Sequence, residues 1–99
     1  MIVIFRTHGE DWERFSNTLR EAQPEIMNQG CRRIEAYRNR KHPQDWVMFQ
    51  EWPDKATFDQ FAQSTGPELD RKAGVRWSDV STWIESAEGT QVPPASPAS

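Results

Sequence analysis

The first apolar run, Ile2-Val3-Ile4-Phe5, is rich in β-formers and closes at Gly9; an unbroken run of this kind reads as a strand buried on both faces. The period then changes. Trp12, Phe15, Leu19, Ala22 and Ile26 recur at steps of three and four, which predicts a helix with one apolar face. Glu10 or Asp11 places negative charge at its start, where the helix dipole favours it. Pro24 lacks an N–H and clashes one turn back, so it predicts a kink or a restart, and Gly30 is a suitable terminator.

Two strand-like runs follow. Over Arg32–Arg40 the residues Arg32, Ile34, Ala36 and Arg38 alternate with Arg33, Glu35, Tyr37 and Asn39. The segment Lys41-His42-Pro43-Gln44-Asp45 is turn chemistry. Over Trp46–Trp52, Trp46, Met48, Gln50 and Trp52 share one face and Val47, Phe49 and Glu51 the other, so the two runs predict a hairpin. Asp54 is placed to cap a helix carrying Phe58, Phe61 and Ala62 on one side. Gly66-Pro67 breaks that helix, and Pro67–Lys72 suits one more short turn before Gly74. A last strand is expected over Val75–Glu85, with Val75, Trp77, Asp79, Ser81 and Trp83 facing one way and Arg76, Ser78, Val80, Thr82 and Ile84 the other.

The order strand, helix, strand, strand, helix, strand is the split βαβ arrangement. It predicts an α+β, ferredoxin-like fold: a four-stranded antiparallel sheet with helices on one face only. The other face also carries apolar residues, so a partner sheet, and hence a homodimer, is expected. The domain is expected over residues 1–86. Beyond Ala87 the sequence GTQVPPASPAS has three prolines and no aromatic residue, the composition of a disordered tail at 87–99.

Composition narrows the class. The chain has 99 residues, enough for one core and too few for two. Hydrophobic residues make up only 35%, yet five Trp, five Phe and one Tyr supply the bulk a core needs. A net charge of -3 offers nothing to nucleic acid. No apolar run approaches the roughly 18–20 residues that cross a bilayer. The start, MIVIFRTHGE, lacks the basic region and cleavage site of a signal peptide. The single cysteine, Cys31, excludes an internal disulfide and fits a reducing cytoplasm. Two histidines, His8 and His42, stand far apart with no clustered carboxylates, so no metal site is recognisable.

The stretch GCRRIEAYRNRKHPQDWVMFQEWPDKATFDQF resembles the hairpin and second helix of the antibiotic biosynthesis monooxygenase family, through Gly30-Cys31, Tyr37-Arg38, Glu51-Trp52, Asp54, Ala56 and Phe58. The resemblance extends over about residues 1–86 and implies a dimeric α/β barrel, with a pocket in each subunit between sheet and helices. It also implies chemistry ranging from cofactor-free oxygenases of polyketide phenols, anthrones and quinols to haem-degrading enzymes and aromatic cyclases. Two departures speak against haem degradation. Phe61 stands where many members have His, and the first strand, IVIFRTH, lacks the Asn that haem-degrading members carry.

Candidate site residues follow from chemistry and resemblance together. Trp52 matches the family's pocket tryptophan; it can stack on a phenolic ring and donate its indole N–H, or be a plain core residue. Gln50, on the same face, can donate and accept, and Tyr37 across the hairpin can hold a proton. His8, ending the first strand, is a candidate general base, whereas His42 reads as solvated turn. Trp12, Phe15, Phe58 and Phe61 are core aromatics that would roof a cavity for a flat apolar ligand. Trp77 and Asp79 would join them if their face of the last strand looks inward. Arg6 and Arg76 suit cross-strand pairing, and Cys31 a small buried apolar role.

The expected function is a cofactor-independent monooxygenase acting with O2 on an aromatic, polyketide-type phenol, with no metal and no bound cofactor. A cyclase or isomerase of the same fold, or a noncatalytic small-molecule-binding dimer, are the alternatives.

Overall fold

The computed structural model describes residues 1–84. The expected tail at 87–99 and the domain limit at residue 86 therefore lie outside the described residues. Seven elements follow in order: β1 (Ile2–Gly9), α1 (Trp12–Asn28), β2 (Arg33–Arg38), β3 (Asp45–Glu51), α2 (Lys55–Ser64), α3 (Gly66–Ala73) and β4 (Val75–Trp83). The strands form one antiparallel sheet in the order β2-β3-β1-β4, the ferredoxin-like arrangement expected from the sequence.

Local chemistry sets the element ends. The Asp11 carboxylate accepts from the Arg14 N–H at 3.0 Å and starts α1. Asp54 starts α2 by accepting from both the N–H and the hydroxyl of Thr57 at 2.8 Å, and those bonds hold its carboxyl below the usual range. Two elements are more continuous than expected. Of the kink or restart expected at Pro24, the restart is absent, since α1 runs on to Asn28. Ala22 and the fully buried Ile26 hold the turns on either side of it against the core, and that packing outweighs one missing hydrogen bond. The segment after Gly66 is a full helix rather than one turn. Pro67 sits in its first turn, where an absent N–H costs nothing, and Gly74, at φ 75°, ends it in the left-handed conformation.

All three helices cover one face of the sheet. Directly opposed residues of antiparallel strands share a face, so the pairs Val3↔Gln50, Phe5↔Met48 and Thr7↔Trp46 place these six side chains under the helices. The alternate residues Ile2, Ile4, Arg6 and His8 look the other way. β1 is thus not buried on both faces within one chain: Val3 is fully buried, whereas Ile2 is 37% exposed. Beneath the helices the core forms two clusters. One holds Val3, Ile26, Cys31, Trp52, Phe58 and Phe61; the other holds Phe15, Trp46, Met48 and Ala73. Phe5 and Ile34 touch both.

Trp46 anchors the second cluster. Its indole N–H donates to the Pro43 carbonyl at 2.8 Å, and its ring stacks on Phe15 at 4.5 Å. Gly9 passes so close to this ring that an added Cβ would fall on Cη2 and Cζ3, the latter at 2.6 Å. A ring pinned on both sides cannot swing aside. Gly9→Ala is therefore expected to destabilise the fold by about 1–3 kcal/mol, read as a lower urea midpoint at unchanged m-value.

Candidate active site

Where the two core clusters fail to meet, a cavity of about 320 Å3 separates the helices from the sheet. Phe5 and Met48 form its floor, Phe15 and Ile26 of α1 and Phe58 and Phe61 of α2 its apolar walls, and Val80 of β4 its sheet edge. This lining suits a flat, apolar ligand. Among the lining side chains of the described residues, only two carry strong polar groups, Gln50 and Asp70.

Gln50 projects from β3 and is 2% exposed. Its Oε1 accepts from the indole N–H of Trp52 at 2.8 Å. Because an indole nitrogen only donates, this bond fixes which end of the amide is oxygen and which is nitrogen. The Nε2 end contacts only the Met48 thioether, at 3.7 Å, and sulfur is a weak acceptor. The amide N–H thus remains available to a stronger acceptor in the cavity.

Asp70 reaches the cavity from the opposite layer, on α3. Its residue is exposed at the rim, and the apolar surroundings desolvate its carboxyl and raise its pKa above the ordinary carboxylate range. Sequence reasoning missed Asp70. The available signal was the spacing of Pro67, Asp70 and Ala73 at three-residue steps, which sets Asp70 on the inner edge of a short helix beside Leu69.

Of the ten residues singled out from sequence, Gln50, Phe15, Phe58 and Phe61 line the cavity. Trp52 lies behind it, fully buried, with its ring 5.7 Å from that of Phe58 and 5.0 Å from that of Phe61. Its N–H is already engaged by Gln50, and its ring is not part of the cavity lining. Trp12 packs edge-on to Trp46 and outside the cavity, under the guanidinium of Arg38.

The other four stand on the far side of the sheet. Tyr37 pairs with Val47, is 51% exposed and meets Phe49 edge-on; the hairpin register puts it on the face opposite Gln50. His8 donates from Nδ1 to the Asp45 carboxylate at 3.0 Å and stacks flat on Trp77. Asp79 lies opposite Arg6, and Trp77 opposite His8. The face of β4 that looks under the helices is instead that of Ser78, Val80 and Thr82, which oppose Thr7, Phe5 and Val3. Cys31 is a buried thiol that donates to the Arg33 carbonyl, and burial pushes its pKa up, in keeping with a small apolar role.

Among the described residues, no group of three or more His, Cys, Asp or Glu side chains is placed to hold a metal ion, and no helix is long and apolar enough to cross a membrane.

Comparison with known proteins agrees with this architecture. Residues 1–68 match the family model described as antibiotic biosynthesis monooxygenase. No curated protein matches the chain. Among solved structures, one described as antibiotic biosynthesis monooxygenase is 20% identical with a TM-score of 0.60, covering 88% of this chain and 100% of the other. A conserved protein from Methanosarcina mazei Go1 is 19% identical with a TM-score of 0.64, covering 86% and 92%. A single-site mutant of SnoaB, a cofactor-independent oxygenase from Streptomyces nogalater, is 17% identical with a TM-score of 0.63, covering 88% and 94%.

The Trp52–Gln50 bond has a measurable signature. Either Trp52→Phe or Gln50→Leu leaves one buried polar group without its partner, at a cost of about 1–3 kcal/mol beyond any packing change. Once one is made, the other loses that cost. A double-mutant cycle by urea denaturation is expected to give a coupling of about 1 kcal/mol or more, and strictly additive changes would show that the bond contributes nothing.

Proposed function

The chain belongs to the antibiotic biosynthesis monooxygenase family, and on that premise we propose that it is a cofactor-independent oxygenase of an aromatic, polyketide-type phenol, anthrone or quinol. The observation that carries the reading is the Gln50 amide, a buried donor held by Trp52 and facing an apolar cavity walled by phenylalanines. An aromatic ring enters such a cavity by shedding water from both faces. Its oxygen accepts from Nε2, and the bond strengthens as negative charge develops there, because the donor is preorganised and desolvated.

An electron-rich ring anion of this kind passes an electron to dioxygen directly, so the chain's own residues need only bind, orient and ionise the substrate. For an anthrone the overall change balances simply. One oxygen atom of O2 becomes the new carbonyl, and the other leaves as water with the two hydrogens of the methylene. The fold shared with SnoaB supports the reading at the level of architecture.

The same reading includes a homodimer in the cytoplasm. The sheet face away from the helices exposes Ile2, Tyr37, Trp77 and Trp83, which a second copy would cover. Sedimentation at micromolar concentration is expected to give twice the 11.5 kDa chain mass, and Trp77→Lys to shift it toward the monomer. A monomeric wild type would overturn this part.

Oxygen uptake tests the chemistry. Chelator-treated protein is expected to consume O2 with anthrones or naphthalene hydroquinones faster than buffer does. Gln50→Leu is expected to lower kcat/KM by about 100-fold, the usual cost of one oxyanion donor. Wild-type uptake no faster than the uncatalysed reaction would sink the oxygenase reading.

A further inference from the structure

We propose that Asp70 is the base of this site: its carboxylate takes the acidic proton of the bound substrate across the ring from the oxygen held by Gln50. The inference rests on the reading that an anthrone- or phenol-like ring fills the cavity, and it assigns the step that precedes oxygen.

Placement comes first. Gln50 rises from the sheet, on β3, and Asp70 enters from the helix layer, on α3, so the two polar groups meet a ring lying between the layers from different sides. Among the described residues, Asp70 is also the only charged one lining the cavity. Neither histidine competes for the role, since His8 lies on the opposite sheet face and His42 in an exposed turn.

The surrounding charges leave Asp70 free to act. On α1, the Arg14 guanidinium donates to the carbonyls of Lys72 and Arg71. On α2, Lys55 pairs with Asp59; on β4, Arg76 pairs with Glu10; on α3 itself, Arg71 pairs with Glu68. Lys72, in the last turn of α3, is exposed. Burial raises the Asp70 pKa, with no cation among the described residues opposing it, and a carboxylate so placed is a stronger base than one in water.

The step balances without an oxidant. The methylene C–H bond of an anthrone breaks, its electron pair passes through the ring to the carbonyl oxygen at Gln50, and the proton goes to an Asp70 oxygen. One negative charge is present before and after, moved from the rim to the amide. A substrate that already carries a carboxylate would bring a second negative charge with no cation to meet it, so the site favours neutral substrates.

The test separates this step from oxidation. Anthrone is incubated with the protein in deuterated buffer without oxygen, and loss of the methylene signal is followed by proton NMR. Wild type is expected to speed the exchange over buffer, and Asp70→Asn to lose about 100-fold of that acceleration, while Trp fluorescence shows anthrone binding unchanged within about threefold. Asp70→Glu, which keeps a carboxylate, is expected to retain more exchange than Asp70→Asn. The wild-type rate should be level where Asp70 is ionised and fall as pH drops through its pKa, at a higher pH than an ordinary aspartate would give. Exchange by Asp70→Asn at the wild-type rate, or no acceleration by wild type, would overturn the proposal. Anaerobic exchange without O2 uptake in air would sink the oxygenase reading and leave the base in place; uptake in air with exchange indifferent to Asp70→Asn would do the reverse.

Discussion

The hydrogen bond from Trp52 Nε1 to Gln50 Oε1 is the constraint on which the site depends. Both groups are buried, and a buried amide or indole without a partner costs about 1–3 kcal/mol. Their spacing of two along one extended segment sends both side chains to the same side of the sheet. Each therefore satisfies the other, and neither draws on a ligand to do so. The consequence is directional: the bond consumes the oxygen of Gln50 and leaves its N–H for the cavity. Trp52 is itself locked by Phe58 and Phe61, so the same aromatic packing that makes the core also aims the buried Gln50 amide that lines the cavity.

Much of the fold was legible in the sequence because it rests on local periods. The alternation Trp46, Met48, Gln50, Trp52 marked one face of β3, the three-and-four spacing from Trp12 to Ile26 marked α1, and Asp54 marked the start of α2. What alternation cannot tell is which face the helices cover. That is fixed by register with other strands, through pairs such as Phe5↔Met48 and Phe5↔Val80. In β4 alternation left both faces open, the aromatic one of Trp77 and Trp83 and that of Val80, and the register turns Val80 inward and the tryptophans out. Tyr37 and His8 moved to the far face for the same reason. Asp70 went unseen because a two-turn helix carries too few apolar positions to show its inner face.

The far face explains a feature of β1 that one chain leaves open. Ile2-Val3-Ile4-Phe5 reads as buried on both sides, and only Val3 and Phe5 lie under the helices. Beside Ile2 and Ile4 the neighbouring strands place Trp83 and Phe49, and at the other end of β1 His8 stacks on Trp77, with the charged residues Arg6 and Asp79 opposed across strands. The exposed aromatic residues of this surface are the residue type enriched at protein interfaces. In the proposed dimer, β1 would recover the two-sided burial that its sequence encodes.

The two faces are not independent, because β3 serves both. Met48 and Gln50 point into the cavity, while Val47 and Phe49, their immediate neighbours, point to the far side. A strand free on one side can twist and slide; covered on both, as the proposed dimer would cover β3, it would hold its side chains to the tolerance that proton transfer and charge stabilisation require. The family's fold admits many chemistries, so the distinguishing facts are the polar groups this chain places in the cavity. Among the described residues they are one amide donor on β3 and one desolvated carboxylate on the helix layer, with both imidazoles elsewhere. That pair suits moving a proton off a neutral ring and holding the charge it leaves behind. In the proposed reaction, oxidation needs only dioxygen within reach of the resulting anion, and the protein's part is to make that anion in an apolar cavity.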